Sequence, residues 1–271
     1  MSAMETTNLS MEAMKKMFAA GKRFDGRKLD QYREFEIELG IAKTAEGSAR
    51  IRLGKTEVIV GIKLAPGTPY PDSRDKGNLM VSGDLLPMAS PRYQAGPPEF
   101  AAIELPRLVD RAIRESKMID LHKLVIKEGE KVWTVMVDIY PINDDGNLID
   151  AACIAAIAAL QKAMVPQLDE NGVVDYDKES KTKLTVSDET APISISFFKL
   201  GNTIILDPTR EEEEACEARV TFGISKWKGQ YMINSCQKSN LAGFSSTDIN
   251  NMMDMITKKY DQLSERLKSF L

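Results

Sequence analysis

Three arginines recur at helical spacing in the stretch AAIELPRLVDRAIRES, residues 101–116. On a helix, Arg107, Arg111 and Arg114 fall within an arc of about 60°, and the apolar residues of the stretch occupy the opposite arc. The planar guanidinium group matches the oxygens of a phosphate group, so such a row can track a nucleic-acid backbone. The arrangement needs an explanation, because the whole chain carries a formal net charge of −4.

A second interpretation is that these arginines pair with carboxylates along the same helix. Acidic residues stand three or four positions from the arginines, at Glu104, Asp110 and Glu115. Such pairs stabilise an exposed helix by only about 0.2–0.5 kcal/mol each. From the helix alone, the solvated face is favoured. The segment SPRYQAGPP modestly supports phosphate binding, because Arg92 and Tyr93 can add a charge and a stacking ring.

Two further stretches could hold ions. INDDGNLID, residues 142–150, has the glycine that anion sites at helix starts use, but two aspartates precede it and no basic residue follows. A helix start capped by Asn147 or a nearby aspartate is therefore favoured. TREEEEACEAR, residues 209–219, could bind a divalent metal, but one run cannot turn four glutamates inward, so a solvated charged face is expected. We predict no metal site and no cofactor.

Histidine and cysteine chemistry is also disfavoured. The only histidine, His122, has no neighbours that suggest a metal site or a Ser-His-Asp triad, and a place at a strand edge is expected. Cys153, Cys216 and Cys236 lie far apart without C-x-x-C spacing, which argues against zinc and fits a reducing cytoplasm. All three are expected to be small core residues.

Composition limits the class of protein. The chain has 271 residues, 43% apolar and 28% charged, enough to bury the core of one large domain or two smaller ones. No apolar run approaches the length of about eighteen residues that spans a bilayer. The first eighteen residues, MSAMETTNLSMEAMKKMF, lack the apolar core of a secretory signal. A cytoplasmic protein without a membrane partner is expected.

Periodicity and turn signals place the arginine helix among strands. The first predicted element is a short helix that Ser10 caps and that runs to Ala20, where Gly21 stops it. The next predicted elements of the first part are a turn at Asp25-Gly26, a strand in EFEIELG, two strands joined at Gly54-Lys55, a short strand near Leu79–Val81, the arginine helix, strands in HKLVI and KVWTVMVDIY, and a buried alanine-rich helix over about 147–164. Pro106 fits the arginine helix only in its first turn, because a proline further in removes a backbone hydrogen bond.

The pattern then repeats after a polar segment. ISISFFKLGNTIILD and EARVTFGISKWKGQYMINS read as hairpins that turn at Gly201-Asn202 and Lys228-Gly229, and Ser245 and Ser246 can cap a final helix. We predict an α+β fold of two related strand-then-helix lobes. Its segments are an N-terminal helix and extension (1–30), a first lobe (31–166), a linker (167–190) and a second lobe with the C-terminal helix (191–271).

Several of these segments together resemble the RNase PH family over nearly the whole chain. The resemblance is carried by RFDGRKLDQYR, AEGSARIRLGKTEVIVGI, the helix at 104–116, the DDGN turn with its alanine-rich helix, and ILDPTREEEEACEAR. Within the family, the chain is most similar to the non-catalytic RNase PH-type subunit of the archaeal exosome core. The resemblance implies an RNase PH-like fold in a ring of three heterodimers with a catalytic RNase PH-type partner, with RNA-binding cap subunits. Such a ring degrades single-stranded RNA from the 3′ end with inorganic phosphate.

The sequence departs from catalytic members of the family at the positions that carry their reaction. Catalytic members have two tandem arginines where this chain has Phe100 and Ala101, and a Gly-Ser/Thr-Arg phosphate site where it has Gly146-Asn147-Leu148. Their first catalytic aspartate corresponds to Glu213 here, and their second acidic residue corresponds to Arg219. A phosphorolytic site must hold phosphate and stabilise charge on the scissile phosphodiester. We therefore predict that the chain alone is not catalytic.

The resemblance also implies roles for the arginines of the helix. It implies that Arg107 and Arg111 contact the RNA backbone beside the partner's active site, and Arg114 falls outside this correspondence. Arg92 and Tyr93 are candidates for an additional RNA contact. Two alternatives stay open: an active phosphorolytic 3′→5′ exoribonuclease with a rearranged site, and a scaffold whose arginines are salt-bridged without touching RNA.

Overall fold

In the part of the chain that the structure describes, two larger β-sheets, one two-stranded pair and five α-helices make up the fold. The computed structural model describes residues 7–170, 172–175, 178, 180 and 182–271. The elements of the first part are α1 (Asn8–Ala19), β1 (Phe35–Leu39), β2 (Gly47–Leu53), β3 (Thr56–Gly67), β4 (Asn78–Gly83), α2 (Phe100–Ser116), β5 (Val125–Lys127), β6 (Lys131–Asn143) and α3 (Leu148–Lys162). Those of the second part are β7 (Met164–Val165), β8 (Thr182–Lys183), β9 (Ile193–Leu200), β10 (Thr203–Leu206), α4 (Arg210–Ala215), β11 (Ala218–Trp227), β12 (Gln230–Ser239) and α5 (Ser246–Lys268).

The first sheet has the order β1-β2-β3-β6-β4, with β5 added beside β6, and the second has the order β10-β9-β11-β12. All neighbours are antiparallel except β4, which runs parallel to β6. Strands β7 and β8 form a separate pair. The mixed helix and strand content confirms the predicted α+β class.

Helix α3 forms the centre of the core. It packs on β2 and β3 of the first sheet and on β9 of the second. Every residue from Ile149 to Gln161 is buried, as its apolar composition predicts. A single apolar cluster therefore includes residues of both lobes.

Helix α2 lies where the two sheets meet. It contacts β4 of the first sheet and β11 and β12 of the second. Its apolar face, which includes Leu105, Val109 and Ile113, is buried, and its arginines lie on the opposite face. The close approach to β11 depends on Gly223, because an added Cβ there would lie 2.5 Å from Ser235 Oγ and 3.1 Å from Ala112 Cβ.

Most predicted elements are confirmed, but several local details differ from the prediction. Helix α1 is capped by Thr7, whose hydroxyl accepts from the Ser10 amide. Helix α2 begins at Phe100, so Pro106 lies inside it rather than in its first turn, on the buried face. His122 lies in a 3-10 turn (Leu121–Leu124), exposed to solvent, because the chain reaches β5 only at Val125.

The cysteine prediction is confirmed for Cys153 and Cys216, which are buried, and is wrong for Cys236. Cys236 is exposed because it lies on β12, the edge strand of the second sheet.

The segment boundaries stay a prediction. Residues 1–6 of the N-terminal segment, and 171, 176, 177, 179 and 181 of the linker, lie outside the described residues. The described part of the linker contributes β8 and two isolated bridges, Ile119 to Val186 and Leu168 to Val174. Among the described helices, none has the length and apolar character needed to cross a membrane.

Candidate nucleic-acid interface

The exposed face of α2 borders a shallow groove of about 200 Å³, which we call the arginine groove. It is lined by Phe100, Ile103, Glu104, Arg107, Leu108, Arg111 and Gln237. The groove brings Arg107 and Arg111 together, as the sequence predicts, and adds Gln237 from β12. Arg114 is exposed on the same helix but does not line the groove.

Of the three arginines of α2, Arg114 forms the ion pair with a carboxylate of the same helix that the second interpretation predicts. Arg114 Nη2 lies 2.6 Å from Asp110 Oδ1 and also donates to the Leu79 carbonyl at 3.0 Å. Glu104 instead pairs across to β11, where its Oε1 lies 2.6 Å from Arg219 Nη2. Within the described part of the chain, neither Arg107 nor Arg111 forms an ion pair.

Arg111 is held by a neutral group. Its Nη1 donates to Gln237 Oε1 at 3.2 Å. This bond directs the guanidinium without neutralising it, because an amide oxygen carries no net charge. The groove therefore presents two uncompensated positive charges on a protein that is acidic overall.

A second cavity, of about 320 Å³, lies on the other side of Glu104, and we call it the acidic pocket. It gathers Ala101, Asn147, Leu148, Glu213 and Arg219. These are positions that the resemblance matches to the reaction site of catalytic members. Phe100, the neighbour of Ala101, lines the arginine groove instead. The five carboxylates that line the pocket are Glu99, Glu104, Asp144, Glu213 and Glu214, and the two guanidinium groups are Arg92 and Arg219.

Arg92 and Tyr93 line this pocket rather than the arginine groove. Arg92 Nη2 lies 2.5 Å from Asp144 Oδ2, and the Tyr93 hydroxyl donates to the same oxygen at 2.6 Å. Burial and the charge of Asp144 raise the pKa of Tyr93 well above its ordinary value. Both polar groups therefore bind Asp144 in this structure. An RNA contact by Arg92 or Tyr93 stays a prediction.

The glutamate run is not the solvated face that its composition predicts. Glu212 is buried and pairs with the buried Arg23. Glu213 faces the acidic pocket, where its Oε2 accepts a hydrogen bond from the backbone N–H of Asn147 at 2.7 Å. Burial raises the pKa of Glu213, and the nearby charge of Asp144 raises it further. The prediction fails because α4 is a short helix that contacts α1 and, through Glu213, the loop at residues 144–147.

A buried network centred on Asp207 fixes that loop. Asp207 accepts from Arg33 Nη2 at 2.7 Å, from Arg27 Nη1 at 2.9 Å and from Asn147 Nδ2 at 2.9 Å. Asn147 stands at the N-cap of α3, but its side chain makes no capping hydrogen bond because it is directed to Asp207. The predicted side-chain cap is therefore wrong. Gly146 has φ +87°, and a Cβ there would lie 2.6 Å from the Pro208 carbonyl oxygen.

Asp150 anchors the start of α3 in the core. It is fully buried and accepts from the Tyr32 hydroxyl at 2.7 Å and from Ser196 Oγ at 2.7 Å. Burial raises the pKa of Asp150 to about 6, although these donors act in the opposite direction. Sequence reasoning missed Asp207 and Asp150 as network centres. The segments RFDGR and ILDP, which carry the resemblance, were the only signal for the first.

The fold, together with its match to two family models, defines the RNase PH class of 3′ exoribonucleases. Residues 31–166 match the model of 3′ exoribonuclease family domain 1, and residues 190–258 match that of domain 2. The chain belongs to this family.

Named relatives narrow the comparison within the family. The chain is 43% identical over 265 residues to the exosome complex component Rrp42 of Pyrobaculum aerophilum, covering 97% of this chain and 94% of the relative. A chain of the solved Archaeoglobus fulgidus exosome with RNA bound to the active site is 39% identical, with a TM-score of 0.87 over 96% of this chain and 98% of that chain. A chain of an archaeal exosome core is 37% identical, with a TM-score of 0.83 over 96% and 97%.

Proposed function

We propose that this chain is the non-catalytic subunit of an archaeal exosome, a cytoplasmic ring that degrades RNA from 3′ to 5′ with inorganic phosphate. It pairs with the catalytic RNase PH-type subunit, helps to structure that subunit's active site and binds RNA. Relatives named exosome complex component Rrp42, and the match to a chain of an exosome solved with bound RNA, support this assignment.

The observation that carries RNA binding is the pairing pattern along α2. Glu104 and Asp110 are engaged by Arg219 and Arg114, and the charges of Arg107 and Arg111 are left uncompensated among the described residues. Guanidinium groups in this state attract phosphates, and two of them one helical turn apart can bind neighbouring positions of a single-stranded backbone. The scaffold alternative requires that the three arginines of α2 form salt bridges. Among the described residues, Arg114 does so and Arg107 and Arg111 do not.

The charge of the acidic pocket supports the non-catalytic assignment. Phosphorolysis brings inorganic phosphate and an RNA phosphodiester together, and both are anions. Five carboxylates line the pocket, and each of its two guanidinium groups already pairs with one of them. No arginine stands at positions 100, 101 or 148 to hold phosphate. These features disfavour the alternative that the chain is itself an active exoribonuclease.

The free edge of the second sheet supports a protein partner. Strand β12 is ten residues long, borders no further strand among the described residues and exposes Tyr231, Met232 and Ile233. An exposed apolar edge of this length tends to associate unless another chain covers it. We propose three heterodimers with the catalytic subunit in a six-membered ring, together with RNA-binding cap subunits, single-stranded RNA as the bound nucleic acid and no membrane partner.

Two measurements test the proposal. Native mass spectrometry of an equimolar mixture with the catalytic subunit is expected to give a species of three copies of each chain, and monomers alone would refute the assembly. The isolated chain, incubated with RNA and phosphate, is expected to release no nucleoside diphosphates. Robust phosphate-dependent shortening of RNA by the pure chain would favour the active-enzyme alternative.

A further inference from the structure

The arginine groove contains an apolar surface that phosphate binding does not use. Phe100 is 70% exposed and Ile103 is 46% exposed, and both line the groove with the two arginines. On the helix, Phe100, Arg107 and Arg111 fall within an arc of about 40°. By the helical rise, the backbone position of Phe100 lies about 10 Å along the helix axis from that of Arg107, and Arg111 lies about 6 Å further.

From this juxtaposition we propose that Phe100 is a stacking platform for one RNA base, next to the phosphates that Arg107 and Arg111 bind. The inference rests on the proposed RNA-binding function and adds a specific residue to it. Aromatic rings beside cationic side chains are the usual way in which proteins hold single-stranded nucleic acid, because every base has a flat face. Ile103, one turn from Phe100, extends the apolar contact.

The charges of the groove fit this occupant better than an apolar peptide. The one carboxylate that lines the groove, Glu104, is engaged by Arg219, so the groove offers uncompensated positive charge beside the ring. A purely apolar partner would leave two guanidinium groups desolvated without counter-charges, which is unfavourable. A nucleotide supplies both a negative phosphate and an apolar face.

The test measures RNA affinity of the complex assembled with the catalytic subunit, using oligoadenylate and an abasic oligonucleotide of equal length. Phe100→Ala is expected to weaken oligoadenylate binding by about fivefold to a hundredfold, the usual range for loss of one stacked base. It should leave abasic binding and the salt dependence unchanged, because no phosphate contact is lost. Phe100→Tyr should restore binding. Phe24→Ala is the matched control, since Phe24 is also exposed, at 60%, and does not line the arginine groove.

Equal weakening on both oligonucleotides, or no weakening on either, would overturn the inference. Phe100→Leu covers the case in which the alanine variant does not assemble. If the leucine variant assembles and binds like the parent, the ring is not used for stacking. If neither variant assembles, Phe100 belongs to the subunit interface, and the inference is also overturned. The proposed function fails separately, when replacement of Arg107 and Arg111 leaves RNA binding unchanged.

Discussion

Replacing Arg107 and Arg111 with alanine should remove two phosphate contacts from the assembled ring while leaving the fold intact. Arg107 has no ion-pair partner among the described residues, and Arg111 loses only its hydrogen bond to Gln237. Both side chains are exposed, so their removal creates no cavity. The main effect should therefore fall on RNA binding.

The size of that effect follows from counterion release. Each phosphate neutralised on a single strand contributes about 0.7 to the slope of log affinity against log salt, so the double variant should lose about 1.4 from this slope. Between 50 and 200 mM salt, that difference means that the parent loses about sevenfold more affinity than the variant does. The weakening should be nearly uniform across RNA sequences, because phosphate contacts do not read bases.

The assay is RNA affinity of the assembled ring across a salt series, with native mass spectrometry to verify assembly of each variant. Arg114→Ala is the matched control, because Arg114 lies on the same helix but is engaged by Asp110 and the Leu79 carbonyl. Its slope should equal that of the parent. If the double variant assembles and keeps the parent's slope and affinity, the arginines form only a solvated face and the reasoning is refuted.

Two further predictions concern stability. Asp207→Ala should lower the free energy of unfolding by about 3–5 kcal/mol, because it leaves the partly buried guanidinium groups of Arg27 and Arg33 without the buried carboxylate that they share. Denaturant unfolding measures this change, and a value below about 1 kcal/mol would contradict the prediction. The second prediction concerns Asp150, whose pKa is about 6 in the folded protein and 3.8 in the free side chain. Between these pH values the folded state binds more protons than the unfolded state. The free energy of unfolding should therefore fall by about 3 kcal/mol as pH rises through this range. Asp150→Asn should remove this component of the pH dependence, and an unchanged difference between pH 4 and pH 7 would show that burial does not raise the pKa.

The sequence predicts the periodic elements well, because each has a local cause. The hairpins that turn at Gly201-Asn202 and Lys228-Gly229, and the helix capped by Ser245, form where local turn and cap chemistry requires them. The buried helix α3 follows from its composition alone.

The arrangement of charges could not be predicted in this way, since it depends on residues distant in sequence. Glu104 has Arg107 within one turn, yet it pairs with Arg219, which β11 brings to it. Glu212 is buried only because Arg23, 189 residues away, is also buried beside it. The resemblance to a family suggests which positions form the site. The ion pairs that these residues make are visible only in the folded structure.

The ion pair between Glu104 and Arg219 connects the acidic pocket to the arginine groove, because Glu104 lines both cavities. The resemblance places an acidic residue of catalytic members at position 219, where this chain carries the opposite charge. Because Glu104 is engaged by Arg219, Arg107 has no carboxylate partner among the described residues of the neighbouring groove. A substitution at position 219, on the second sheet, is therefore expected to change the charge of the arginine groove without altering any residue of α2.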